Sequence, residues 1–96
     1  MIVRYSRSAV HDIEAIAKYI RDRNPRASVE VRTRIKNVID GLADFALQGT
    51  PTDHRDIRRL LTTPYPYLIF YRIKNETVII LRIRHGRRRP DPLGLD

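Results

Sequence analysis

An α+β fold, with a small antiparallel sheet covered on one face by an N-terminal helical hairpin, is what this sequence predicts. Three observations carry that reading. Two apolar stripes of helical spacing run from Ala9 to Phe45 and break at Asn24-Pro25. Three β-branched and aromatic runs follow between residues 57 and 84. At 96 residues the chain is long enough for one core and too short for two. The expected order is β-α-α-β-β-β, a single domain over residues 1–96 with an irregular tail from about residue 86.

The opening IVRY, Ile2 to Tyr5, is short and partly β-branched and reads as a strand. Ser6 and Ser8 each offer a hydroxyl cap to the helix that follows, and the sequence leaves both open. Asp12 and Glu14 put negative charge near the positive end of that helix. Ala9, Ile13, Ile16, Ala17 and Ile20 form one stripe, and Lys18, Arg21 and Arg23 stand near its favourable C-terminal end. Asn24-Pro25 closes the first helix, and Pro25 suits the first turn of the next, where a missing N–H costs nothing. From about Arg26 to Ala46, Ala27, Val31, Ile35, Val38, Leu42 and Phe45 recur every three or four residues. Gly41 weakens the interior of this helix and Gly49 marks its termination. Neither stripe can stay wet alone, so the two helices pack as an antiparallel hairpin.

Thr50 to Asp56 reads as a polar loop. IRRLL from Ile57 to Leu61, YLIFYRI from Tyr67 to Ile73 and TVIILRIR from Thr77 to Arg84 read as strands. A turn at TTPYP and a tight hairpin at Lys74, Asn75 and Glu76 join them. In the last strand Ile79, Leu81 and Ile83 share one face and Ile80, Arg82 and Arg84 the other. The expected core sets Ile13, Ile16 and Ile20 against Val31, Ile35, Val38 and Leu42, with Leu60, Ile69, Leu81 and Ile83 from the sheet.

Several function classes fall away on composition. With no cysteine there is no disulfide framework, thiol nucleophile or cysteine-based metal site. His11, His54 and His85 lack the close spacing of a local metal site, so no metal and no cofactor is expected. The N-terminus has no signal-peptide apolar region and no apolar run reaches about 18 residues, so a cytoplasmic location without membrane contact is the expectation. No Walker loop, dinucleotide fingerprint, zinc-hydrolase motif or serine elbow occurs. Asp53 and Asp56 read as ordinary loop carboxylates.

Net charge is +8, unevenly spread. Residues 1–54 carry nine basic and seven acidic side chains, whereas residues 55–96 carry ten and four. Such a field attracts nucleic acid or an acidic protein surface without choosing between them. The densest constellation is Arg82, Arg84, His85, Arg87, Arg88 and Arg89, with Arg58 and Arg59 on an earlier strand. Arginines there can hold a phosphate while His85 moves a proton, the parts of a metal-free ribonuclease. The other reading is a solvated basic face that steers a partner, with His85 closing a strand end. Tyr65 reads as exposed in its turn, Tyr71 as core, and Tyr67 as either core or contact surface.

The ordered segments YSRSAVHDIEAIAKYI, IRRLL, YLIFYRI and VIILRIRHGRR resemble the ParE/RelE superfamily of type II toxins, closest to the ParE branch. Tyr5, Ser6, Ala9, Asp12, Ile13, Ile16 and Tyr19 fit its strand-to-helix segment. Ile57, Arg58, Arg59 and Leu60 fit the middle strand, and Tyr71 and Arg72 the next. Ile80, Leu81, Arg82, Ile83, His85 and Arg88 fit the closing strand and basic turn. The likeness spans residues 2–89.

That resemblance implies a toxin neutralised by a cognate, ParD-like antitoxin, with operator DNA bound only through the antitoxin complex. ParE-like members stabilise the cleavage complex of DNA gyrase without being enzymes, and on that branch Arg82, Arg84, Arg87 and Arg88 would contact the target. Ile13, Ile16, Arg59 and Tyr67 would contact the antitoxin. RelE-like relatives cut messenger RNA in the ribosomal A site, and on that branch His85, Arg82 and Arg58 would do the chemistry. The tail PDPLGLD has no tyrosine, and the middle strand has arginines instead of a lysine-rich set, which favours the gyrase branch. A basic interaction module without toxic activity is the third class.

Overall fold

The computed structural model describes residues 1–86. The elements are β1 (Ile2–Tyr5), α1 (Arg7–Arg21), α2 (Pro25–Gly41), β2 (Thr50–Pro51), β3 (Arg58–Thr62), β4 (Tyr67–Lys74) and β5 (Thr77–His85). They form one five-stranded sheet in the order β1-β5-β4-β3-β2, with the helical hairpin against one face. The α+β class and the hairpin-on-sheet arrangement are as the sequence predicts.

The sheet is mixed instead of wholly antiparallel, because β1 runs parallel to β5. The overlooked strand β2 accounts for this. Thr50 and Pro51, read as loop, pair antiparallel with Arg59 and Arg58. If each connection reverses the chain, β-α-α-β-β-β leaves its first and last strands opposed. One further strand brings β5 round parallel to β1.

Ser6, not Ser8, caps α1: its hydroxyl accepts from Ala9 N–H at 3.0 Å and donates to Leu81 O at 2.9 Å. Asn24 caps α2 by accepting from Ala27 N–H at 3.1 Å, and Pro25 opens that helix. Ser28 Oγ donates to Ala17 O at 2.7 Å, tying the two helices where they cross closely.

The second helix ends at Gly41, earlier than the stripe to Ala46 implied. From there Leu42, Ala43 and Asp44 donate to carbonyls three residues back. Three residues per turn rotate the chain faster than 3.6, so Phe45 leaves the stripe and stands 71% exposed. Leu42 and Ala46 remain buried.

The core joins Ala9, Val31, Ile35, Ile39 and Leu42 to Ile69, Tyr71, Val78, Ile80 and Ile83. Ile13, Ile16, Ile20, Val38 and Leu60 pack around it, half-buried. Leu81 does not join this core. The register between β4 and β5 shifts at Phe70/Tyr71, where Tyr71 pairs with Ile80 and Phe70 with Arg82. Leu81 is the extra residue of a bulge, and the inward set changes from even to odd across it. Leu81 therefore joins Ile57, Leu68 and Phe70 in a second cluster on the face away from the helices. At the β4–β5 turn Asn75 and Glu76 both have positive φ, 51° and 58°, the backbone that a two-residue hairpin of right-handed twist demands.

Candidate functional site

Parity along β4 and β5 puts Tyr67 and His85 opposite each other at the end of the sheet, on the side of the helices. Their rings meet edge to face at 5.6 Å and 81°. One helical turn apart on α1, Ile16 and Tyr19 project towards the same end. Between helix and strands lies an open groove of about 560 Å³, lined by Ile16, Tyr19, Tyr67, Ile83, Arg84 and His85, with Asp12 and Ala15 on its helical wall. Burial, and then the nearby Tyr19 phenol, raise the pKa of Tyr67 above the ordinary tyrosine value, so it is a neutral hydroxyl at neutral pH. Arg23 stacks over Tyr19 at 3.7 Å and donates to the Tyr19 carbonyl, which gives the helical wall a cationic edge.

The basic end of β5 is organised from α1. Asp12 is buried, and its carboxylate accepts from Arg82 Nε at 2.9 Å and Nη2 at 3.1 Å. The same carboxylate accepts from Ile83 N–H at 2.9 Å. The Asp12 hydrogen bond raises the Arg82 guanidinium above the usual arginine value. Arg84 Nη1 stands 3.9 Å from Asp12 Oδ1 at the groove mouth.

The structure gathers the sequence-derived candidates only in part. Ile16, Tyr67, Arg84 and His85 share the groove. Ile13 lies a turn back on α1, packed against the core. Arg59 is exposed and pairs with Phe70, on the opposite face of the sheet from Tyr67. Arg58 donates to Gly49 O at 2.7 Å and holds the approach to β2. It pairs with Tyr71, whereas His85 pairs with Tyr67, four residues along β4 and about 13 Å away at the usual rise per residue. Arg58 and His85 thus do not converge on one point. Arg87 and Arg88 lie outside the described residues.

Two members of the groove were under-read in the sequence. As sequence, Asp12 reads as a helix-dipole charge, although Ala9, Asp12, Ile13 and Ile16 share the apolar spacing, and an acid inside that stripe signals a buried partner. Tyr19 carried only its place in the resemblance. A second, more polar hollow of about 330 Å³ lies by His54, Arg55 and Arg58. Its loop is shaped by Thr52 Oγ1, which accepts from His54 N–H and donates to Ile57 O. Among the described residues no three His, Cys, Asp or Glu side chains gather as metal ligands, and no helix is long and apolar enough to cross a membrane.

Comparison with known proteins matches residues 3–90 to the family described as ParE toxin of type II toxin-antitoxin system, parDE. The Sinorhizobium fredii protein Y4kP, a toxin by name, is 31% identical over 86 residues, covering 90% of this chain and 88% of its own. Toxin RelE2 of Caulobacter vibrioides is 35% identical over 80 residues, 83% of this chain and 89% of its own. Among solved structures, a chain of the chromosomal ParDE TA system from P. aeruginosa is similar with a TM-score of 0.82 at 25% identity. That likeness covers 88% of this chain and 95% of the other. A chain of the RelBE2 toxin-antitoxin complex from Mycobacterium tuberculosis shares the fold at a TM-score of 0.59 and 22% identity, with 88% of each covered.

Proposed function

The chain belongs to the ParE toxin family of type II toxin–antitoxin systems, and from that premise we propose that it stabilises the cleavage complex of DNA gyrase until a cognate antitoxin neutralises it. The protein acts by binding, in the cytoplasm, without cofactor or metal. Its basic end, Arg84 with Arg87 and Arg88 beyond it, meets gyrase or the DNA that gyrase holds. The +8 charge speeds that encounter. The antitoxin lays an acidic amphipathic segment along α1, its apolar side chains entering the groove between Ile16, Tyr19 and Tyr67. Operator DNA is reached through the antitoxin.

The observation that carries this reading is where the parts of a ribonuclease fall. Cleavage through a 2′-hydroxyl needs a base, an acid and cations within hydrogen-bond reach of one phosphate. Here Arg82 is committed to Asp12 and Arg58 to the Gly49 carbonyl, and Arg58 lies across the sheet from His85, four residues along β4. Messenger RNA cleavage on the ribosome is the second reading, favoured by the identity with toxin RelE2 and by an imidazole at the groove mouth.

Two assays on the purified protein separate the readings: gyrase with supercoiled plasmid, and translating ribosomes with a defined messenger RNA. Linear DNA in the first and intact RNA in the second is the expected pair, and His85→Gln should retain most of that gyrase effect. A-site cleavage without linear DNA overturns the gyrase reading, and a loss of about 10²–10⁴-fold in H85Q would then make His85 the proton-transfer group.

A further inference from the structure

Asp12 is the only buried acidic side chain among the described residues, at 6% exposure. A carboxylate in such a place is costly unless its oxygens are fully used. They are used at one spot, the bulge of β5. β1 ends at Tyr5, opposite Ile80, so among the described residues the edge of β5 beyond Ile80 has no strand beside it. Two side chains from the start of α1 take over. Ser6 Oγ serves Leu81 O, and Asp12 Oδ2 serves Ile83 N–H. Arg82 reaches the same carboxylate with two parallel hydrogen bonds.

A bulge is where register is weakest, since pairing the strands without the extra residue slips them by one place and exchanges the faces of everything beyond it. Here that would turn Ile83 and His85 away from the helices and Arg84 towards them. We infer that Asp12 is a positioning residue: by gripping Arg82 and the Ile83 amide together it fixes the bulge at Leu81, and so sets how Arg84 and His85 leave the sheet. Arg82 then serves the binding surface through Asp12, its charge absorbed inside the molecule. The effect on target contact rests on the gyrase reading above; the effect on register does not.

The His85 ring protons report the register, because the edge-to-face Tyr67 ring shifts their NMR signals. In Asp12→Asn an amide replaces the charged partner of the Arg82 fork. The His85 signals should move to those of a solvent-exposed histidine while the Ile35 and Ile39 methyl signals keep native positions. Linear DNA from gyrase and supercoiled plasmid should fall by about tenfold. Asp40→Asn, which removes an exposed ion pair with Lys36, should leave both readouts alone. A purely stabilising role would lower the melting temperature of D12N without moving His85 in the folded protein, and that result overturns the inference. A displaced His85 with undiminished linear DNA would confine Asp12 to register and overturn its part in target contact. Should wild type yield no linear DNA, the gyrase reading fails alone and the His85 signal still decides. If D12N does not fold, Arg82→Lys, which keeps the charge and loses the fork, is judged by the same signal.

Discussion

The Tyr71 hydroxyl, from the middle of β4, accepts a hydrogen bond from Gly49 N–H at 2.9 Å and donates one to Ala46 O at 2.8 Å. One fully buried phenol thus closes the segment that leads from α2 into β2. The fit leaves no room at Gly49, where a Cβ would lie 2.5 Å from the Tyr71 oxygen and 2.8 Å from Arg59 O. Tyr71→Phe should cost about 1–3 kcal/mol by stranding a buried donor and acceptor. Gly49→Ala should cost about as much by overpacking. Reversible urea unfolding measures both, and a loss under about 0.5 kcal/mol in either would show that the segment is held by other contacts.

Alkali should weaken the fold through its phenols. Tyr5, Tyr67 and Tyr71 all have pKa values raised above 10.0, burial being the first cause in each. Below the ordinary tyrosine value the three are neutral in folded and unfolded chains, and their contribution is intact. As pH climbs past it the unfolded chain ionises first, so stability drains away until the raised folded values are passed. The unfolding midpoint should decline between about pH 9 and about pH 11, less steeply in Y71F, which has one phenol fewer to ionise. Equal slopes for the two proteins would remove Tyr71 from the effect.

Glu76 occupies a left-handed backbone position, φ 58°, in the second place of the β4–β5 turn. Such a conformation costs a non-glycine residue roughly 1–2 kcal/mol, and glycine returns part of that as chain entropy in the unfolded state. Glu76→Gly should therefore raise stability by about 0.5–1 kcal/mol, visible as a higher urea midpoint. A lower midpoint would refute the turn argument.

If the antitoxin docks in the groove as proposed, its association should slow as salt is added, since charge would steer the encounter and apolar contacts would hold the complex. In stopped-flow mixing from about 0.05 to 0.5 M salt, Arg84→Ala should give a shallower decline than wild type. Coincident salt slopes would place the steering charges elsewhere on the chain.

Local signals carried much of this molecule. The stripe from Ala9 to Ile20, the Asn24-Pro25 junction and the Lys74–Glu76 hairpin depend only on neighbours a few residues away, and each forms where the sequence places it. The cap at Ser6 was one of two choices, decided by the Leu81 carbonyl that only the folded sheet brings near. Half of the groove was legible as well: Ile16, Tyr67, Arg84 and His85 were named from pattern and resemblance.

What the sequence determined by itself was the α+β class and the helical hairpin, because side-chain periodicity and turn chemistry are short-range properties of the chain. Tertiary structure alone decided the parity of β5, the direction of β1 and the role of Asp12. Alternation along a strand survives only until a bulge, and nothing within TVIILRIR marks Leu81 as the extra residue. Its place is settled by β4 on one side and, on the other, by a carboxylate 70 positions before Arg82. Those long-range partners turn Leu81 out of the core, draw Arg82 into the molecule and leave Arg84 and His85 at the groove.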